Sequence, residues 1–195
     1  MTDTRTQAPE TTGEDDVIDL LVAQHGMIRD LFDEVEQASD ADRWETFTRL
    51  VRLLAVHETA EEEIVHPYAR RKLDGGDAIV DDRLAEENEA KELLMRMDQA
   101  GPDAPDFAEN LALLRVAVEA HARSEERYEF TKLRGHTSET ERRALAAGVR
   151  AAEAMAPTHP HPGIESATKN ILVGTPVAMM DRVRDVIRQV TGKGD

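Results

Sequence analysis

Two short stretches of this chain carry the same unit. His57-Glu-Thr-Ala-Glu61-Glu62 returns as His121-Ala-Arg-Ser-Glu125-Glu126. On a helix, residues four apart stand one above the other on one face, so each unit aims an imidazole and a carboxylate at a common point. Both units fall in the apolar register. Phe47, Leu50 and Leu54 lead into His57 and Glu61, with Ile64 beyond; Phe107, Leu111, Leu114 and Val118 lead into His121 and Glu125. Burying an unpaired carboxylate among helices costs several kcal/mol. Two such helices therefore face each other only around compensating positive charge, supplied by metal ions or by arginine partners.

Two more helices show the same interruption. Asp15 or Asp16 is placed to cap a first helix with the apolar line Ile18, Leu21, Ile28, Phe32 and Val35, and His25 fills the gap in that line. A turn is expected over Ala38 to Asp42, and Asp74-Gly75-Gly76 ends the second helix. A third helix presents Leu84, Glu87, Ala90, Leu94 and Met97 on one face, and Gly101-Pro102 and Pro105 mark the loop before the fourth. Four inward stripes joined by short connections predict an all-α, up-down-up-down four-helix bundle over residues 15–134. Residues 1–14 are expected to form a disordered tail, and 135–195 a C-terminal helical extension. Within that extension, Ser138 and Glu141 form a capping box for a helix running to about Met155. The Pro157–Gly163 segment is expected to be extended, and Pro176 to open a last amphipathic helix. The extension is expected to pack on the bundle or on a second copy of it.

Composition narrows the chemistry. The chain has no cysteine, which removes disulfides, thiolate catalysis and Cys-ligated zinc or iron–sulfur sites. A formal net charge of −16 makes nucleic acid and anionic membrane poor partners. No apolar run approaches the roughly 20 residues of a membrane span, and the acidic N-terminus lacks the apolar core of a signal peptide, so the expected location is cytoplasmic.

The candidate metal ligands are His25, His57, Glu61, His66, Glu87, His121 and Glu125. Imidazole mixed with carboxylate suits iron or manganese, and zinc less specifically. His57-Glu-Thr-Ala-Glu61 is not the zinc-protease pattern H-E-x-x-H, and Glu63-Ile-Val-His66 is the one E-x-x-H match where ferritin-like bundles use two. His66 lies nine residues beyond His57, which on an ideal helix points the opposite way, so ligation requires Pro67 to distort the turn; the alternative is a histidine interacting with helix-end carbonyls. Glu62, Glu86, Glu126, Glu58 and Glu63 are expected to be solvated or to orient ligands from outside, with Glu86 the alternative to Glu87 on helix three. Lys91, one turn from Glu87, could neutralise it. Tyr128 is expected in the core near the site, as packing or as a redox-active neighbour. His136, His159 and His161 are expected at the surface.

With these residues in place, the chain resembles the hemerythrin-like proteins of the HHE cation-binding family over roughly residues 16–134. The matching pieces are the first-helix histidine in Leu20-Leu-Val-Ala-Gln-His25, the His57-x-x-x-Glu61-Glu62 unit followed by His66-Pro67, and the His121-x-x-x-Glu125-Glu126 unit. The resemblance implies a bundle holding two non-haem iron ions, bridged by oxide or carboxylate, with manganese or zinc less fitting. His25, His57 and His121 would be terminal ligands, and Glu61 and Glu125 bridging ones. The chain departs on helix three, where Glu87 replaces the family's histidine, and at His66, where the family usually has tyrosine.

The oxygen carriers of the family use five histidines and two carboxylates, whereas here at most four histidines and one more carboxylate are available. Anionic ligands favour ferric iron. The expected activity is therefore reaction with small molecules (O2, H2O2 or NO), with catalase-like peroxide decomposition favoured over reversible carriage. Sensing or storage without turnover is the alternative. A monomer or homodimer is expected.

Overall fold

The computed structural model describes residues 15–154, and those residues are almost entirely helical. The helices are α1 (Val17–Gln37), α2 (Arg43–Ala60), α3 (His66–Lys72), α4 (Gly76–Ala100), α5 (Phe107–Ser124), α6 (Thr131–His136) and α7 (Glu139–Glu153). Two segments of wider π-helix, Glu61–Val65 and Glu125–Phe130, join α2 to α3 and α5 to α6. Thus α2 with α3, and α5 with α6, act as single rods, and with α1 and α4 they make the four-helix bundle that the register predicts. The expected tail at 1–14, the extended segment, the helix after Pro176, and His159 and His161 lie outside the described residues.

Local signals set the ends. Asp16 caps α1, its carboxylate accepting from the Ile18 N–H at 3.0 Å. The turn before α4 needs both of its glycines. Gly75 adopts φ 73°, a left-handed conformation. Gly76 packs so closely that a Cβ there would stand 2.5 Å from the Ala69 carbonyl oxygen. Ser138 and Glu141 form the expected capping box on α7.

The apolar core is split in two. One half gathers Leu21, Ile64, Val65, Phe130 and Leu133; the other gathers Ile28, Phe32, Phe47, Leu50, Leu54, Leu94, Leu114 and Val118. Between the halves, at one level of all four rods, lie buried Gln24 and His25, His57 and Glu61, Glu87, and His121 and Glu125. A polar layer sandwiched between two well-packed apolar ones is held rigid by both.

The fifth helix is part of the bundle itself. Leu145, Ala146, Val149 and Ala152 of α7 pack with Val17, Ile18, Leu21, Val65 and Tyr68 in the first half of the core. The apolar stripe of α7 finds its partner within the same chain, so this part of the extension packs on the bundle; the rest of the extension lies outside the described residues. Arg142 of α7 also pairs with the capping Asp16 at 2.5 Å.

Candidate metal centre

Each H-x-x-x-E unit straddles a change of helix type. His57 and His121 sit in the last turn of α2 and α5, while Glu61 and Glu125 open the two π segments. In the first segment the His66 N–H reaches back five residues to the Glu61 carbonyl. The extra residue in that turn rotates everything beyond it, so His66 points inward and is 1% exposed. The sequence assigned that rotation to Pro67; it is the π-turn that does it. The wider turn also suits Pro67, which has no N–H to donate and whose ring would crowd the carbonyl four residues back.

The second π segment has a different consequence. A wider turn takes more residues per revolution, so the residue three after Glu125 falls short of the core and the residue four after it stays in line. Tyr128 accordingly is 52% exposed and Glu129 is fully buried. Tyr128 is neither a core residue nor a neighbour of the site, correcting the expectation from an ideal helix. Glu129 is the next step of the His121–Glu125 register and could have been found by extending it one turn.

The seven expected ligands converge. His25, His57, Glu61 and Glu125 offer ligand atoms all within 4.8 Å of one another, and Glu61, Glu87, His121 and Glu125 do the same. Glu61 and Glu125 belong to both groups. His66 joins Glu125 and Glu129 in a third such group. Glu87, the expected helix-three residue, is 1% exposed and lies 2.7 Å from His66 Nε2. The alternative, Glu86, stays at the edge of the site.

All four histidines share one orientation. Each turns Nδ1 outward: His25 to Glu126 at 2.9 Å, His57 to Gln24 at 2.7 Å, His66 to Glu129 at 3.2 Å and His121 to Glu86 at 3.0 Å. Each turns Nε2 inward, to Glu125 at 3.3 Å, Glu61 at 3.3 Å, Glu87 at 2.7 Å and Glu125 at 3.4 Å respectively. An imidazole that donates Nδ1–H to an outer acceptor keeps its Nε2 lone pair for a metal. Glu126 and Glu86 thus stand behind His25 and His121, where an orienting group would be placed. Gln24 and Glu129 join them, and no feature of the chain's periodicity pointed to Gln24.

Glu58 and Glu62 are not simply solvated. Glu58 is buried, and both reach Lys91, whose Nζ lies 3.5 Å from Glu58 and 3.3 Å from Glu87 and also contacts Glu62. Burial pushes the Glu58 and Glu62 carboxyls up to about 7 despite that ammonium. Lys91 compensates Glu87 from the outer side and leaves the inner cluster alone. Glu63 is half-buried, and His136 is exposed, as expected, against the Lys132 carbonyl at 2.8 Å.

Does this cluster fit metal ions? Both oxygens of Glu61, both of Glu125, and Nε2 of His25 and of His121 are buried without a hydrogen-bond partner. Such groups are costly to leave unmade, and these six atoms all face the same interior. Burial and the neighbouring Glu125 carboxylate hold the Glu61 carboxyl well above its ordinary range. Burial acts on Glu125 the same way, but the His121 and His25 imidazoles outweigh it and hold that carboxyl well below. Burial, aided by His25, pushes His57 down to about 3, so its ring is neutral and able to ligate. The donor set of nitrogen and oxygen is that of a non-haem iron or manganese site. A pocket lined by His25, Arg29, Leu54, His57, Glu119 and His121 opens beside the histidine end of the cluster.

The comparisons with known proteins agree with this geometry. The chain is 29% identical over 136 residues to a DNA nickase of Nostoc, covering 69% of this chain but spanning 38% of that protein's length. It is 24% identical over 178 residues to an uncharacterized hemerythrin-like protein of Schizosaccharomyces pombe, covering 89% of this chain and 87% of that one. The crystal structure of a hemerythrin HHE cation binding domain-containing protein from Mycobacterium kansasii superposes with a TM-score of 0.63 at 18% identity, over 86% of this chain and 98% of that one, and so shares the fold. The family model for the hemerythrin HHE cation binding domain matches residues 16–133. With its buried histidine and glutamate clusters, the chain belongs to the hemerythrin HHE cation-binding family and is a metal-binding, hemerythrin-like protein.

Proposed function

We propose that the centre holds two iron ions and acts on hydrogen peroxide, disproportionating it to water and dioxygen. The observation that carries this reading is that two clusters of potential ligands share Glu61 and Glu125. Two carboxylates common to two adjacent positions are what a bridged pair requires, and two ions would fill both. His25 and His57 would serve one ion, His121 and Glu87 the other, with His66 beside Glu87. When bound, the pair would supply an exchangeable coordination position and a two-electron redox couple.

The protein's own groups define the rest. The Nδ1 partners Glu126, Gln24, Glu129 and Glu86 orient the four rings so that each Nε2 would face a metal, His66 and His121 giving up a proton as it binds. The apolar layers above and below exclude bulk water. A pocket lined by His25, His57 and His121 opens on this side of the cluster, the side from which a small molecule would approach. The high share of carboxylates supports a centre that rests ferric, which favours peroxide chemistry over reversible oxygen carriage.

The test is oxygen evolution from peroxide by iron-loaded protein, with His57→Ala as control. Activity that needs His57 supports the reading. Two irons per chain with no such activity would leave the sensing or storage role as the function, and a reduced form that takes up oxygen reversibly would make the protein a carrier. The net charge of −16 argues against DNA as a partner here, despite the name of the Nostoc relative. No helix of the described residues is long and apolar enough to cross a membrane, and we place the protein in the cytoplasm.

A further inference from the structure

The outer partners of the four histidines differ in kind. Three are carboxylates, which only accept hydrogen bonds and so fix the Nδ1–H tautomer unaided. The partner of His57 is the amide of Gln24. An amide can present either end. Its oxygen would accept from Nδ1–H and free Nε2 inward; its NH2 group would donate to Nδ1 and leave the proton on Nε2, where it blocks ligation. Something must choose between the two. In the structure Gln24 Nε2 donates to Glu153 Oε1 at 2.5 Å. Glu153 is the last residue of α7, twenty residues beyond the stretch matched by the family model. A carboxylate at that place can receive only the NH2 end, so the oxygen end must face His57.

We infer that α7 belongs to the metal centre, with Glu153 a positioning residue that sets the Gln24 amide and, through it, the ligating tautomer of His57. This rests on the two-metal reading of the site. It also gives the C-terminal helix a role besides packing. Whatever lifts its last turn off the bundle would release the amide and loosen one ligand.

The experiment measures ferrous-ion affinity by chelator competition on full-length protein at 25 °C. Glu153→Ala is expected to weaken binding by about tenfold, near the lower end for groups that orient a ligating histidine. The double variant Gln24→Glu with Glu153→Ala is expected to recover most of that loss, because a carboxylate at position 24 fixes the tautomer as it does for the other three histidines. A purely structural role for Glu153 gives no such rescue. The inference is overturned if Glu153→Ala binds iron as tightly as the native chain, or if the double variant stays as weak as the single one. If the native chain itself takes up no iron, the two-metal reading falls first, and the two failures are thereby told apart.

Discussion

Glu61→Gln separates what the buried cluster does for metal binding from what it does for stability. Glu61 is fully buried and neither of its oxygens has a hydrogen-bond partner. Its carboxyl is held well above the ordinary range by burial and by Glu125. In the unfolded chain at pH 7 the group is ionised, so folding without metal must either protonate it or bury a charge beside another carboxylate. Glutamine has the same shape and neither cost, and its NH2 can donate to Glu125. Leaving a buried polar group unpaired costs roughly 1–3 kcal/mol. At roughly 2–4 °C per kcal/mol for a chain of this size, the metal-free variant should melt about 2–12 °C above the metal-free native protein. Iron should reverse the order. A ligand present at a hundredfold its Kd adds about 2.7 kcal/mol to a protein that binds it, and the variant, lacking one of the two carboxylates common to both candidate ligand groups, should gain far less. The assay is thermal unfolding of both proteins after chelator treatment and after anaerobic ferrous loading. The reasoning is refuted if metal-free Glu61→Gln melts at or below the metal-free native chain, because the carboxylate would then be satisfied within the protein.

Further outcomes follow from the same structure. Glu87 and Glu129 outweigh burial to keep His66 protonated in the metal-free protein, Glu125 and Glu86 do the same for His121, and Glu61 holds its proton, so loading should release protons and weaken as pH falls. Titration calorimetry in buffers of different ionisation enthalpy would detect this, and a buffer-independent heat would contradict it. Glu141 accepts from Lys72, Ser138 and Tyr68, and although burial opposes them these partners hold its carboxyl at about 2. Its contribution is therefore present above the ordinary carboxylate range and lost as pH falls toward about 2, so the difference in unfolding free energy between native and Glu141→Ala, measured by urea titration, should be about 1–2 kcal/mol at neutral pH and shrink on acidification. Gly76→Ala would place a methyl 2.5 Å from the Ala69 carbonyl oxygen, in backbone that cannot yield cheaply. It should cost about 1–3 kcal/mol; a melting temperature equal to the native one would show the turn to be looser than it is drawn.

The bundle and most of the buried histidine and glutamate cluster could be read from the chain because both depend on local periodicity. Apolar positions at helical spacing named the inward faces, and residues that occupied those faces without being apolar named the site. Glu87 emerged the same way, by its place on the stripe. What lay beyond reach depended on departures from that period or on other helices. The two π-turns each add a residue, which brings His66 in and turns Tyr128 out while Glu129 stays in line, and nothing in an ideal register anticipates the turns. The acceptors behind the four rings come from different rods, so only packing could pair Gln24 with His57 or Glu86 with His121. The amphipathic stripe of α7 announced a buried face without saying against what. The tertiary structure supplied the answer by setting it on α1, with Glu153 in reach of Gln24. Side-chain type and helical phase are properties of a short stretch of sequence; which atom of one helix meets which atom of another is decided only when the chain has closed.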